Sequence, residues 1–411
     1  MSLVLSTAMA LGVLLLGTAS DPSAAEAPAR PFGSHLVPYE GDSALPSDLS
    51  GRDAATSHFY DRWRARYLRA GCGKGRYFVD TRAAAKARVV SEGQGYGMEI
   101  VPLMAGHDSD AQAVFDGLFR YVEDHPSDLS PHLMAWQQDH SCRSIGGVDS
   151  ATDGDLSIAF GLLLADRQWG SDGAIDYFAE AERRIAAIKK WEVNPQTHLT
   201  NLGDWARHSP RKYRFGTRTS DFMLDHFRAF QTATGDSFWG EVVSATEDLI
   251  AEMQSRYAPR TGLLPDFVVN TDRAPRPAVA HYLESRYDGA YSWNACRVPW
   301  HLGTDFLISG DEQSHAATIA ISRWAAKKLD GKPGAIRSGY SLDGHVLPDS
   351  WYEMAFAAPL AVGAGTDGAR TAWADDLWTN IAGESAKSGG YYGATLKLQA
   401  MLVLSNNYWL P

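Results

Sequence analysis

The chain has 411 residues, 45% of them hydrophobic and 21% charged, with a formal net charge of −11. This is globular composition with length for a large core, and no Pro-, Ser- or Gly-rich linker breaks residues 50–405, so one large domain is expected. The acidic balance disfavours nucleic acid and anionic membrane as partners and suits a neutral or cationic one.

The chain opens on MSLVLSTAMALGVLLLGTASDPSAAEAPA, in which Leu3 to Leu16 form one apolar run. The run is short for a membrane span and suits the core of a secretory signal, although no Lys or Arg precedes it. Residues 1–27 are read as a signal peptide whose end is a disordered-looking Ala/Pro stretch, 28–50 as an N-terminal extension, and 51–411 as the folded domain of a secreted, extracellular protein. Cys72, Cys142 and Cys296 are too few for a disulfide scaffold, and none has zinc-ligand spacing. A Cys72–Cys142 bridge is open to an exported chain. Cys296, in an apolar helix, reads as a small buried residue.

Helical periodicity recurs along the chain, and strand signals are few. It predicts an all-α chain with helices at 54–69, 94–106, 109–124, 153–167, 173–190, 220–233, 236–256, 294–309, 312–329, 351–363, 368–386 and 393–405. Short links such as GHDSD (106–110) and SGDEQ (309–313) make neighbours antiparallel. In the even-numbered helices, LSIAFGLLLA (156–165) and ACRVPWHLGTDFLI (295–308) are apolar on most faces and should be buried all round. In the odd-numbered ones, AERRIAAIKKWEV (181–193) is amphipathic and should lie outside. Six buried helices ringed by six amphipathic ones describe an (α/α)6 barrel. Its inner helices run parallel and bring their N-termini to one rim.

Those N-termini hold the unusual sequence: SEGQGYGM (91–98), ATDGDLS (151–157), RTSDFM (218–223), WNACR (293–297), PDSWYE (348–353) and GGYYGAT (389–395). Any one Asp or Ser there is an ordinary N-cap. Gathered on one rim, the carboxylates and rings suit a polysaccharide. Rings stack on sugar faces, and carboxylates bind hydroxyls and do acid–base work.

SEGQGYGM, ATDGDLSIAFGLLLADRQWG (151–170), LMAWQ (133–137) and NACRVPW (294–300) resemble family 8 of the glycoside hydrolases, once called cellulase family D. The resemblance runs from about Phe59 to Tyr408, and Gly161 replaces a usual Ala or Ser, a change expected to matter little. It implies an (α/α)6 barrel, commonly monomeric, that hydrolyses β-1,4 links in cellulose, mixed-linkage glucan, xylan or chitosan with inversion. No cofactor or metal is required. By motif, Glu92 matches the general acid, Asp153 the residue that binds and helps distort the sugar beside the scissile bond, and Arg297 the cation that orients carboxylates around it. Trp136, Trp205 and Trp293 match aromatic cleft positions, and Tyr391 and Tyr392 supply the rings of the sixth opening. Gly93, Gly95 and Gly97 are expected to leave room for a sugar against the backbone. Asp155 reads as structural, and the ATDGD loop fails the EF-hand spacing for calcium.

The departure is Asn294. Many family members carry there the Asp that activates water, and an amide cannot take that proton. The long connection before it contains YLESRYDG (282–289), which resembles a subgroup with Asn in this slot and a Glu base in the insertion. Glu284 is the matching residue, and Asp288 is its rival. The expected chemistry is a single displacement in which Glu92 protonates the leaving oxygen and Glu284 deprotonates water, with such pairs roughly 6.5–9.5 Å apart. The subgroup holds chitosanases and glucanases. Asp221 sits where cellulose-cleaving relatives often carry Tyr, and a rim carboxylate would pair with a glucosamine ammonium. Chitosan is therefore the first substrate reading, β-1,4 or β-1,3-1,4 glucan the second, and a silent glycan-binding protein the third.

Overall fold

The computed structural model describes residues 27–44, 48–82, 87–385 and 389–411. The proposed signal peptide lies outside the described residues, apart from Ala27.

Each of the twelve expected helices is present among the described residues. They are α1 (Leu49–Tyr67), α2 (Ser91–Leu103), α3 (Ala111–Glu123), α4 (Thr152–Trp169), α5 (Tyr177–Trp191), α6 (Leu224–Thr234), α7 (Phe238–Tyr257), α8 (Val298–Ser309), α9 (Glu312–Lys328), α10 (Met354–Ala364), α11 (Thr371–Gly383) and α12 (Gly390–Leu404). Burial separates inner from outer helices. Helix α10 buries every residue and α2 all but Glu92, whereas α11 buries only Trp373, Ala374, Leu377 and Ile381. Each even-numbered helix packs on the next, and α12 returns to α2 to close the ring.

Three inner helices begin later than the periodicity suggested. A 3-10 turn at Thr219–Asp221 precedes α6, another at Ala295–Arg297 precedes α8, and α10 starts at Met354. Pro299 in the first turn of α8 fits a helix start, where a missing N–H costs nothing. Asp221 and Asn294 therefore sit on the turns that lead into helices.

Helix α2 begins earlier than expected, running through SEGQGYGM despite a cost of about 1 kcal/mol per interior glycine. Close packing of α2 on α4 offsets this. A Cβ on Gly95 would stand 2.6 Å from Ser157 Cβ, and one on Gly97 2.7 Å from Val79 Cγ2. A Cβ on Gly93 would stand 2.7 Å from the Tyr391 hydroxyl. These glycines face protein, which corrects the expectation that they make room for a sugar. Gly161 belongs to the same contact, since its Cβ would lie 2.8 Å from the Met98 carbonyl oxygen. Gly161→Ala should therefore destabilise by about 1–3 kcal/mol through overpacking, read as a lowered denaturant midpoint with an unchanged slope.

The short strands were not legible as periodicity. They are β1 (Leu68–Ala70), β2 (Tyr77–Val79), β3 (Ala87–Val90), β4 (Gln137–Asp139), β5 (Gly216–Arg218), β6 (Phe267–Val269) and β7 (Arg276–Pro277). All pair antiparallel, as β1–β2, β3–β4 and β5–β6–β7.

The N-terminal extension is, over residues 27–44, a strap across the far end of the barrel. Ala29 N donates to Gln168 O, Phe32 N to Ala105 O, Gly41 N to Leu307 O and Ala44 N to Gly365 O. The half-buried Tyr39 donates its hydroxyl to Val403 O at 2.7 Å. These acceptors lie at or just beyond the C-terminal ends of α4, α2, α8, α10 and α12, where helix carbonyls lack intrahelical partners. Cys72 and Cys142 are joined, and Cys296 is free and buried.

Candidate active site

Glu92 is placed by β3, which leads directly into α2. The β3–β4 ladder pairs Val90 with Gln137, and Ser91 N donates to Trp136 O at 2.9 Å, so Trp136 stands beside the acid. Glu92 retains 19% side-chain exposure on a helix otherwise buried throughout. Burial pushes its carboxyl up from 4.5 to about 7; Arg297 opposes this and Asp153 adds to it. The Tyr391 hydroxyl donates to Glu92 Oε1 at 3.4 Å.

Arg297 is the hub. It is 1% exposed, and its Nη1 donates to Glu92 Oε2 at 2.9 Å, Asp153 Oδ2 at 3.0 Å and the Tyr96 hydroxyl at 3.0 Å. Its Nη2 donates to Ser220 Oγ at 2.8 Å and Asn294 Oδ1 at 3.0 Å. One guanidinium thus ties together the openings of α2, α4, α6 and α8. Burial disfavours ionised Asp153, but Arg297 and Arg218 outweigh it and hold the carboxyl below its ordinary value. Two carboxyl groups on one cation are thereby pushed apart. Asp153 is held as the anion, and Glu92 keeps its proton up to about pH 7.

The connection between α7 and α8 carries β6 and β7 and closes on Asp266. This buried carboxyl accepts backbone N–H groups from Ser292, Asn294 and Ala295 at 3.0, 3.1 and 2.7 Å, which fixes the chain entering α8. Asn294 Nδ2 then donates to Glu284 Oε2 at 2.8 Å, and Arg218 Nη2 donates to Glu284 Oε1 at 2.9 Å. An amide bridges Arg297 and Glu284 because it has both an acceptor and a donor. An Asp in its place would meet Glu284 with a second negative charge. Glu284 keeps 44% side-chain exposure. Asp288 is wholly buried and accepts backbone N–H groups from Leu283, Glu284 and Ser285, so it shapes the loop that presents Glu284.

The rings divide by role. Trp293 lies 6.0 Å from Trp351, 5.5 Å from Phe356 and 6.3 Å from Tyr392 between centroids. The Tyr392 hydroxyl donates to Trp293 O at 2.8 Å. Trp205 packs edge-on to Tyr213, which contacts Tyr282, in a satellite cluster that supports the insertion. Tyr391 is buried against Tyr67 and serves Glu92 more than open cleft.

Asp221 requires a correction. It is 0% exposed, with Arg218 Nη1 3.9 Å from its Oδ2, and burial pushes it up to about 7. It lies beneath the rim, where no ammonium reaches it from solvent. Asp155 is buried and accepts Met134 N at 2.9 Å, in line with the structural reading.

Sequence reasoning missed Arg218, Ser220, Tyr96, Asp266 and Trp351. Arg218 and Ser220 stood in the RTSDFM opening, where attention went to the acid. Trp351, 54% exposed, stood in PDSWYE. Asp266 left no local signal, because its role depends on a backbone turn 26 to 29 residues away.

Residues 42–406 match the sequence profile described as "Glycosyl hydrolases family 8". The chain belongs to glycosyl hydrolases family 8. It is a glycoside hydrolase built on the (α/α)6 barrel. Over 385 residues this family 8 chain is 41% identical to a protein of Niallia circulans named beta-glucanase, covering 93% of this chain and 92% of that one. It is 35% identical over 408 residues to an endoglucanase of Bacillus sp. (strain KSM-330), covering 97% and 85%. The solved apo beta-1,3-1,4-glucanase from Paenibacillus sp. X4 superimposes with a TM-score of 0.89 at 41% identity, covering 94% of this chain and all of that one. Rex8A from Paenibacillus barcinonensis, solved with xylose, shares the fold at a TM-score of 0.73 and 20% identity.

Proposed function

We propose that this family 8 hydrolase is a secreted, monomeric endo-β-glucanase that cleaves β-1,4 links in mixed β-1,3-1,4 glucan and cellulose by single displacement. The observation that carries the reading is the pair of unlike carboxyl groups. Glu92 is desolvated and holds its proton up to about pH 7, Glu284 is open to solvent, and the two are joined through Arg297 and Asn294. The two intervening side chains suit the room that an inverting pair leaves for water.

In the step, Glu92 gives its proton to the glycosidic oxygen as the C1–O bond breaks. Water attacks C1 from the opposite face and yields its proton to Glu284. The product hemiacetal has inverted configuration, and exchange with solvent restores both carboxyl groups. Asp153, held anionic, faces the developing positive charge. Trp136 on one side and Trp293 with Trp351 on the other offer ring faces to neighbouring sugars.

The substrate choice follows the relatives and the site together. The relatives named above are glucanases, and Asp221, on which the chitosan reading rested, is buried against Arg218. Export is supported by the apolar N-terminal run and by the Cys72–Cys142 bridge, which suits an oxidising compartment. Purified protein given barley β-glucan, carboxymethylcellulose and chitosan in parallel is expected to release reducing sugar fastest from barley β-glucan and none from chitosan. Faster release from chitosan than from either glucan would reverse the choice, and release from none would leave only glycan binding.

A further inference from the structure

We propose that Arg218 is the positioning residue of the catalytic base, fixing one carboxylate oxygen of Glu284 while Asn294 fixes the other. The inference rests on the reading of Glu284 as base. Glu284 stands on an insertion, with nearly half its side chain in solvent, where a free glutamate samples several rotamers. Here each of its oxygens has a different, well-anchored donor: Arg218 Nη2 at 2.9 Å on Oε1 and Asn294 Nδ2 at 2.8 Å on Oε2.

The anchors themselves are rigid. Asn294 is held by Arg297 through its carbonyl oxygen and by Asp266 through its backbone N–H. Arg218 is the last residue of β5, in register with Phe267 of β6, and its guanidinium lies 5.3 Å from the Phe267 ring. Its side chain is 11% exposed, and its Nη1 lies 3.9 Å from the buried Asp221 carboxylate. Strand β6 belongs to the same insertion as Glu284, so the sheet that anchors Arg218 also orders the segment carrying the base. Asp221 faces the second nitrogen of Arg218 from below at 3.9 Å, an ion-pair approach without a hydrogen bond. With one donor on each oxygen, the carboxylate keeps free lone pairs for the proton of the incoming water.

Arg218 hydrogen-bonds Glu284, and its charge reaches Asp153 only behind that of Arg297, so a loss that depends on Glu284 separates positioning from a merely structural role. In the wild-type background, Arg218→Met is expected to lower kcat on barley β-glucan about 100-fold with KM nearly unchanged, the scale of a misplaced catalytic group. Arg218→Lys, which keeps the charge without the planar fork, should fall between the two. Glu284→Ala, inactive with water, should recover turnover with added azide, giving the inverted glycosyl azide, because azide attacks without a base. Adding Arg218→Met to Glu284→Ala should then cost the azide-rescued rate far less than the loss in the wild-type background, the remainder being its weaker charge effect on Asp153. An equal loss in both backgrounds would overturn the proposal, since it would mean damage to the fold or the substrate site. Unchanged kcat in Arg218→Met alone would overturn it too. Failure of azide to rescue Glu284→Ala would remove the base reading itself and the proposal with it.

Discussion

Glu92→Gln should lower kcat on β-glucan by roughly 10²–10⁴-fold, the usual worth of a positioned general acid. The leaving sugar hydroxyl is a poor leaving group without a proton, and Gln cannot supply one. A dinitrophenyl glycoside, whose leaving group needs no proton, should lose far less. Equal losses on both substrates would argue against the acid role. The wild-type pH profile follows from the same group. Its carboxyl is raised by burial to about 7, so kcat/KM should fall tenfold per pH unit above about 7, and Gln should abolish that limb. Stability follows with a definite sign. The folded pKa lies above the unfolded value, so the folded state binds more protons between about 4.5 and 7, and stability falls as pH rises through that window. The Gln variant lacks that decline. It should match the wild type near pH 4 and gain on it by pH 8, as thermal unfolding at the two pH values would record.

The barrel was legible because its signal is repetitive. A helix buried on all sides reads as nearly unbroken apolar sequence, and α4 and α8 gave that signal without help from one another. The strands were not legible. At two to four residues each they carry no measurable alternation, and they exist because the connections between helices pair with each other. The strap was not legible for a related reason. Residues 27–44 contain no regular element, and their backbone groups are satisfied by exposed helix ends far away in sequence.

The site was legible in proportion to how local each role is. Glu92, Asp153 and Arg297 lie in compact motifs at helix openings, and the structure brings them within hydrogen-bond distance. Asn294 pointed away from itself, toward Glu284 ten residues upstream, and the bond between them gives the substitution its physical sense. Asp221 shows the limit. Its place in the RTSDFM opening put a carboxylate near the cleft, but only packing decides whether it faces water or an arginine. The same holds for Gly93, Gly95 and Gly97, whose vacant Cβ positions are filled by neighbouring helices and strands.

Arg297→Met is the second large effect. It removes the cation that Glu92 and Asp153 share, at 2.9 and 3.0 Å, together with donors to Ser220 and Asn294. Activity should fall by at least roughly 10²–10³-fold, as when one preorganised donor is taken from a transition state. At pH 7 the variant leaves Asp153 as a buried anion with only Arg218 near, and breaking a buried pair in this way costs about 3–5 kcal/mol. The pH dependence identifies the cause. In the wild type, Asp153 is held low, so its contribution is present above the unfolded value and is lost as pH falls through the folded one. In the variant, burial acts unopposed by Arg297, so Asp153 and Glu92 should both take up protons readily on mild acidification. The stability gap between wild type and variant should therefore be large in urea at pH 7 and narrow toward pH 4. Arg297→Lys keeps the charge but cannot reach the five acceptors with one planar fork, and should lose activity while recovering part of the stability. A gap of equal size at both pH values would mean that Arg297 holds the rim by packing and hydrogen bonds rather than by charge, and the division of labour between Glu92 and Asp153 would need another origin.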